Sequence, residues 1–304
     1  MRRRLSALIV VACLTGCTAA RDGSVAPAVV PVHDEFGLLF VEVDIPSRGP
    51  VLALFDTGAN ASAIDARVAS HLPVAEMSQV VGTTGTIEVE MVVLEGLRVG
   101  PLALPALRAA RRDLGGLLAP AGRTVGMILG SDAFLKRAVT IDFGAGELEI
   151  AETAPHGAPQ GAPMIMDNGI PAIEGKIGGI DLWLRIDTGA SLFATPDVYV
   201  NIPTRVWTEL RGRDASIAPT THFQGTGADG QTVELPVAPI PSASVGPLEM
   251  DSVFVIVQPE AGYFADPDAK GFVSNNFLRK MGRVTLDYKE RRLRPLGPRE
   301  HPRP

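Results

Sequence analysis

Apolar residues in this chain come in short runs that glycine and proline interrupt. Between Phe40 and Ile45 they alternate, Val41, Val43 and Ile45 being separated by Glu42 and Asp44, the period of a strand with one buried face. The runs at 36–45, 51–55, 87–94, 139–143 and 147–150 predict a mainly β domain that begins near Phe36. At 153–163 the sequence TAPHGAPQGAP leaves no room for a strand or helix and reads as a linker. Beyond it the pattern starts again.

In the first half an apolar strand leads into Phe55-Asp56-Thr57-Gly58-Ala59, and in the second Leu182-Trp183-Leu184-Arg185-Ile186 leads into Asp187-Thr188-Gly189-Ala190. Each half also closes alike. Phe134-Leu135 precedes Val139-Thr140-Ile141-Asp142-Phe143, and Phe277-Leu278 precedes Val284-Thr285-Leu286-Asp287-Tyr288. The Asp-Thr-Gly sites are 131 residues apart and the closing strands 145, so the second copy carries an insertion, placed at 201–214 around Trp207. The same landmarks in the same order imply an internal duplication with a pseudo-two-fold axis. Two sites so related are able to act together.

The N-terminus reads as an address. Arg2, Arg3 and Arg4 precede an apolar run from 5 to 14, and Leu14-Thr15-Gly16-Cys17 closes it with small residues. This resembles a bacterial lipobox. The resemblance implies that Cys17 becomes the lipidated first residue of the mature protein, with the lipid bilayer as a partner. Thr18 in place of an Asp then implies the outer membrane, facing the periplasm. Cys13, the other cysteine, leaves with the leader, so the mature chain has no disulfide, thiol nucleophile or cysteine metal site.

The 304 residues are 46% hydrophobic and 20% charged, with a formal net charge of −6, and no basic stripe with interleaved aromatics stands out, which excludes nucleic acid as a partner. The N-terminal apolar run is about half the length that crosses a bilayer as a helix, which excludes a polytopic membrane protein. The five histidines, His33, His71, His156, His222 and His301, lack any paired metal-ligand spacing, and the short glycine runs form no phosphate-binding fingerprint. No metal, cofactor or nucleotide is expected.

The chemistry sits in the repeated tetrapeptide. In each copy a strand fixes the approach of a carboxylate, Gly58 or Gly189 lets the backbone turn tightly, and Thr57 or Thr188 is able to hydrogen-bond across to the other copy. Symmetry then sets Asp56 against Asp187. Two carboxylates at hydrogen-bonding distance do not both ionise, so the pair holds one proton and acts as base and acid at once.

With these residues the chain resembles the aspartic peptidases, among them the bacterial retropepsin-like proteins. The resemblance covers roughly 36–297 and rests on the order strand, Asp-Thr-Gly-Ala, glycine-rich hairpin, and a hydrophobic-hydrophobic-Gly segment, here Ile128-Leu129-Gly130. It implies an all-β fold of two homologous acid-protease lobes in a pepsin-like bilobal arrangement. It implies an endopeptidase in which Asp56 and Asp187 are catalytic, Thr57, Gly58, Thr188 and Gly189 support them, and a polypeptide is the substrate. Flaps over the substrate are expected at Gly82, Thr83, Thr84 and Gly85, and at Gly225, Thr226 and Gly227. The chain then divides into a leader (1–16), the lipidated cysteine with a flexible tether (17–35), a first lobe (36–152), a linker (153–168), a second lobe (169–297) and a tail (298–304).

Three departures matter. Ser274 stands where Gly130 stands, and a side chain there would crowd the loop of Asp187. Asn276 stands where the first half has Asp132. Ala59 and Ala190 follow the two Asp-Thr-Gly sites, and without a hydroxyl donor the dyad should stay active towards near-neutral pH. A peptide-binding module of the same fold and a glycosidase are the alternatives. The first would have no use for paired carboxylates that share a proton, and the second needs acids about 5 Å or more apart in unlike environments. Asp142 and Asp287 read as structural, the arginine-rich stretch from Lys289 to Arg303 as a solvated segment, and Trp183 and Trp207 as residues with no assignable role.

Overall fold

The computed structural model describes residues 26–297, apart from 47, 192–195 and 228–229. The leader, Cys17 and the tail lie outside the described residues. The protein is all-β, with short helices only, chiefly Thr204–Arg213 and Asn275–Arg279.

Each aspartate is carried by the same local weave. Strand Gly49–Asp56 follows Leu38–Ile45 in an antiparallel hairpin and runs parallel to Val125–Gly130, which sets Phe55 against Leu129 and Asp56 against Gly130. Strand Ala63–Asp65 lies antiparallel to Val125–Gly130 and parallel to Leu107–Arg112. In the second half Ile180–Ile186 follows Ile170–Ile177 and runs parallel to Gly271–Val273, setting Ile186 against Val273. Tyr199–Pro203 lies antiparallel to Gly271–Val273 and parallel to Leu248–Gln258. These parallel central strands are buried on both faces, which is why Leu52, Ala53, Leu54 and Phe55 read as an unbroken apolar run.

The halves meet in strands that pair outward from a central ladder. Ala138–Asp142 is antiparallel to Arg283–Asp287, with Thr140 opposite Thr285 and their hydroxyls 2.8 Å apart. Glu147–Ala151 and Arg292–Pro295 flank this pair, and Ala28–Pro31 and Ala162–Asp167 lie outside them. One apolar core runs through both halves, from Phe55, Leu129 and Phe134 to Ile186, Val273 and Phe277.

Three expectations need correction here. The segment 17–35 is not a tether throughout, because Ala28–Pro31 is a strand with Ala28 and Val30 buried, and His33–Glu35 pairs antiparallel with the strand Leu38–Ile45, His33 facing Phe40. The linker is likewise shorter than 153–168, since Ala162–Asp167 is a strand. Within the arginine-rich stretch Arg292–Pro295 is a strand, and Arg294 is held by Asp287 at 3.1 Å rather than solvated. All three segments are rich in Ala, Pro or Arg and become strands only by pairing across the chain. The proposed insertion at 201–214 holds the helix Thr204–Arg213, whose Val206 and Leu210 are buried. Asp142 and Asp287 each accept a backbone N–H of the following turn, from Ala145 and Glu290.

Candidate active site

Asp56 and Asp187 sit on turns that lock into one another. The Thr57 N–H donates to Thr188 Oγ1 (2.9 Å) and the Thr188 N–H to Thr57 Oγ1 (3.1 Å). The same hydroxyls donate onward, Thr57 Oγ1 to the Ile186 carbonyl (2.6 Å) and Thr188 Oγ1 to the Phe55 carbonyl (2.7 Å). Both threonines are buried, so every polar atom in this knot needs its partner. Each hydroxyl bridges the two halves, and the knot fixes one Asp-Thr-Gly turn against the other.

Above the threonines, Asp56 Oδ1 accepts the N–H groups of Gly58 (2.8 Å) and Ala59 (3.2 Å). Asp187 accepts the corresponding pair from Gly189 and Ala190. The two carboxyl groups hydrogen-bond to each other. A Cβ at Gly58 would lie 2.5 Å from Asp187 Oδ1, and one at Gly189 would lie 2.5 Å from Asp56 Oδ2. Glycine is therefore required at both places so that each turn admits the opposite carboxyl group.

Burial pushes both acids above the usual carboxyl range. Asp187 is pushed well above it, first by desolvation and then by the Asp56 charge beside it, while the N–H groups of Gly58 and Ala59 pull Asp56 back down. The pair therefore keeps a proton at pH values where an exposed carboxyl would have lost it.

A second layer holds the turns. Ser131 donates its N–H to the Ala59 carbonyl (2.9 Å) and its hydroxyl to the Thr57 carbonyl (2.8 Å). Asn275 does the same in the other half, its N–H reaching the Ala190 carbonyl (3.3 Å) and its Nδ2 the Thr188 carbonyl (2.8 Å). The longer bond falls where Ser274 replaces Gly130. A Cβ on Gly130 would lie 2.9 Å from the Ala59 carbonyl oxygen, so the first half needs the glycine that the second does without. Asp132 accepts the Ser62 N–H and hydroxyl, whereas Asn276 donates to the Asp197 carbonyl (2.8 Å), so the amide serves by the opposite polarity.

The carboxyl pair lines a cleft of about 690 Å³. One wall is apolar through Ala63, Val80, Met91, Ala110 and Ile128, and the other through Tyr199, Val233, Leu235 and Ile256. Both glycine-rich hairpins border it. The first joins Glu76–Val81 to Thr86–Leu94 and brings Gly82, Thr83 and Thr84 to the cleft, with the Gly82 N–H bonded to the Gly85 carbonyl (2.8 Å). The second joins Thr221–Thr226 to Thr232–Val245 and brings Gly225, Thr226 and Gly227 there.

Sequence reasoning missed what lies between these parts. The tip of the first hairpin is fastened to the second half, where the Tyr263 N–H donates to the Gly82 carbonyl (2.9 Å). Gly262 has φ +50°, and a Cβ there would meet the Gly85 nitrogen at 2.7 Å. Arg185 also lines the cleft. The one signal for it was a cation in the otherwise apolar run 182–186, at the place where the first half has Leu54. Trp207 packs against the core and Trp183 is half-buried in the strand Ile180–Ile186, and neither is among the cleft-lining residues.

Two carboxyl groups that share a proton on the floor of an apolar cleft, between two hairpins, form an acid–base site able to activate a water molecule. Residues 41–133 match the aspartyl protease family. That stretch contains Asp56, the first hairpin and the Ser131–Ala133 turn, and over it the chain is similar to aspartyl proteases. No curated protein matches the chain.

Proposed function

We propose that the protein is a single-chain aspartic endopeptidase built by internal duplication, with Asp56 and Asp187 as its catalytic pair. The observation that carries this reading is the reciprocal Thr57–Thr188 knot, which gives each aspartate the same support and leaves the pair one proton to share. In the reaction, the ionised carboxylate takes a proton from a water held between the two acids, and the protonated one hydrogen-bonds to the peptide carbonyl. Water attacks the carbonyl carbon, and the amine leaves with a proton returned by the pair. An extended polypeptide lies between the hairpins and the cleft as an added strand, its side chains entering the apolar walls. Cys17 is the lipid attachment point, and the substrates are polypeptides of the periplasm or envelope.

The test is an unbiased peptide mixture incubated with the purified protein from about pH 3 to pH 8, the window over which paired carboxyls titrate. New termini should appear, with activity reaching near-neutral pH because no hydroxyl stabilises the ionised dyad at Ala59 or Ala190. Asp56→Asn and Asp187→Asn should each abolish cleavage. Folded protein that cuts nothing would refute this reading.

A further inference from the structure

Beside the carboxyl pair lies a second charged group that the hydrolytic chemistry does not use. Arg185 lies in the strand Ile180–Ile186 and Asp187 follows its end, two residues on, with its N–H still bonded to the Val273 carbonyl (2.9 Å), so in extended backbone the two residues stand about 6–7 Å apart on the same side. Both border the cleft, as do Asn168, Ile170 and Tyr263. The guanidinium is held from behind. Its Nε donates to Asp167 Oδ2 (2.7 Å), and its plane lies 3.8 Å from the centre of the Tyr263 ring. Asp167 accepts in addition from Lys270 Nζ (3.0 Å) and the Tyr263 hydroxyl (3.4 Å), and Tyr263 in turn takes the Lys270 N–H (2.6 Å). These cations hold the Asp167 carboxyl below its usual range, against the opposing effect of its burial.

The charges do not cancel. One carboxylate faces two cations, and Lys270 is the one set back from the cleft. With Lys270 offsetting Asp167, the Arg185 charge faces the cleft, where the singly ionised aspartate pair and whatever enters both meet it. Among the described residues Nε is the guanidinium's hydrogen-bonded nitrogen, which leaves its two terminal nitrogens to receive a ligand in the two-pronged manner that suits a carboxylate. At the matching place the first half has Leu54, buried among Leu38, Phe40 and Leu52, and its own cleft-lining arginine, Arg112, stands at the end of a different strand, Leu107–Arg112.

We infer that Arg185 is a specificity-determining residue, binding a carboxylate of the substrate within about two residues of the bond that is cut, given the spacing along the strand. The carboxylate is either a Glu or Asp side chain or the C-terminus of the peptide. This rests on the peptidase reading.

The experiment takes the peptide cleaved best from a library and sets each of the two positions on either side of the cut to Glu, Gln, Leu or Lys. A further arm ends the peptide at those positions with a free or an amidated C-terminus. At one position Glu should exceed Gln by about 10–100-fold in kcat/KM, as expected for a paired buried charge. Arg185→Gln should remove that ratio, the Glu peptide losing about 10–100-fold more than the Leu peptide in kcat/KM, and Arg185→Lys should keep part of it. A gain confined to the free C-terminus identifies the terminal carboxylate as the ligand. No preference at any position overturns the inference. So does a preference that survives in Arg185→Gln but is lost in Arg112→Gln, the other cleft-lining arginine, and so does a displaced pH profile with preference unchanged, which would make Arg185 an electrostatic support of the dyad. In parallel, two fluorescein-labelled peptide pools that differ only in Glu for Gln are titrated by anisotropy onto Asp187→Asn and its Arg185→Gln double variant. If the wild type cuts nothing, the peptidase reading fails, and this binding difference alone decides for or against the carboxylate site.

Discussion

The aspartates are the most heavily constrained residues in the molecule, and their constraint works against stability once the pH rises. Their folded pKa values lie above the ordinary carboxyl value near 4, so the folded state binds more protons than the unfolded chain between these limits. The stability they contribute is complete below that value and is lost as pH rises through the folded pKa values. Asp187→Asn needs no ionisation and should be more stable than wild type at pH 8, with the gap closing towards pH 4. Urea denaturation at the two pH values measures it, and an equal gap at both would contradict the account. Asp65 has the opposite sign. Held at about 2 chiefly by its hydrogen bond from Arg67, and also by the N–H groups of Leu114 and Arg67, it contributes stability above the ordinary carboxyl range that disappears as pH falls through 2. At this scale the sequence was informative because the dyad uses the same few residues twice. It was silent about Tyr263, which reaches the cleft by a bond from its backbone nitrogen, an atom every residue but proline possesses.

Among the elements, strands with their own alternation were legible and strands made by pairing were not. Leu38–Ile45 carries its buried face in its sequence, with Glu42 and Asp44 outward. Ala28–Pro31 has four residues, one of them proline, and is a strand because Glu147–Ala151 offers it an edge. Ala162–Asp167 occupies the corresponding outer place beside Arg292–Pro295. If Ala28–Pro31 is part of the fold, Val30→Asp, which buries a charge at a position only 3% exposed, should cost about 3 kcal/mol or more. Asp at the neighbouring exposed Val29 should cost less than about 0.5 kcal/mol. Chemical denaturation of the two variants compares them directly, and similar midpoints would return the segment to a tether.

For the molecule as a whole, the central ladder and the threonine knot both join the halves through hydrogen bonds between like residues. Thr140 with Thr285 and Thr57 with Thr188 each pair one residue of a half with its counterpart. Thr57→Val removes a hydroxyl that serves as donor to Ile186 and acceptor from Thr188, leaving buried groups unpaired at about 1–3 kcal/mol each. It should therefore lower both stability and activity, whereas Thr57→Ser, which keeps the oxygen, should retain most of each. Denaturation midpoints and kcat/KM for the three proteins test this, and an intact Thr57→Val enzyme would show that the halves are positioned by their core alone.

The bond from Tyr263 to Gly82 has a further consequence for how the cleft is reached. It joins two stretches of main chain, so no exchange of side chains at the hairpin tip abolishes it, and the crowding at Gly262 leaves little freedom on the receiving side. A substrate that displaces the tip must break a contact made by the half that carries the other aspartate. Admission to the site is thereby a property of neither half alone. Each supplies one acid, and the second also keeps the first one's door.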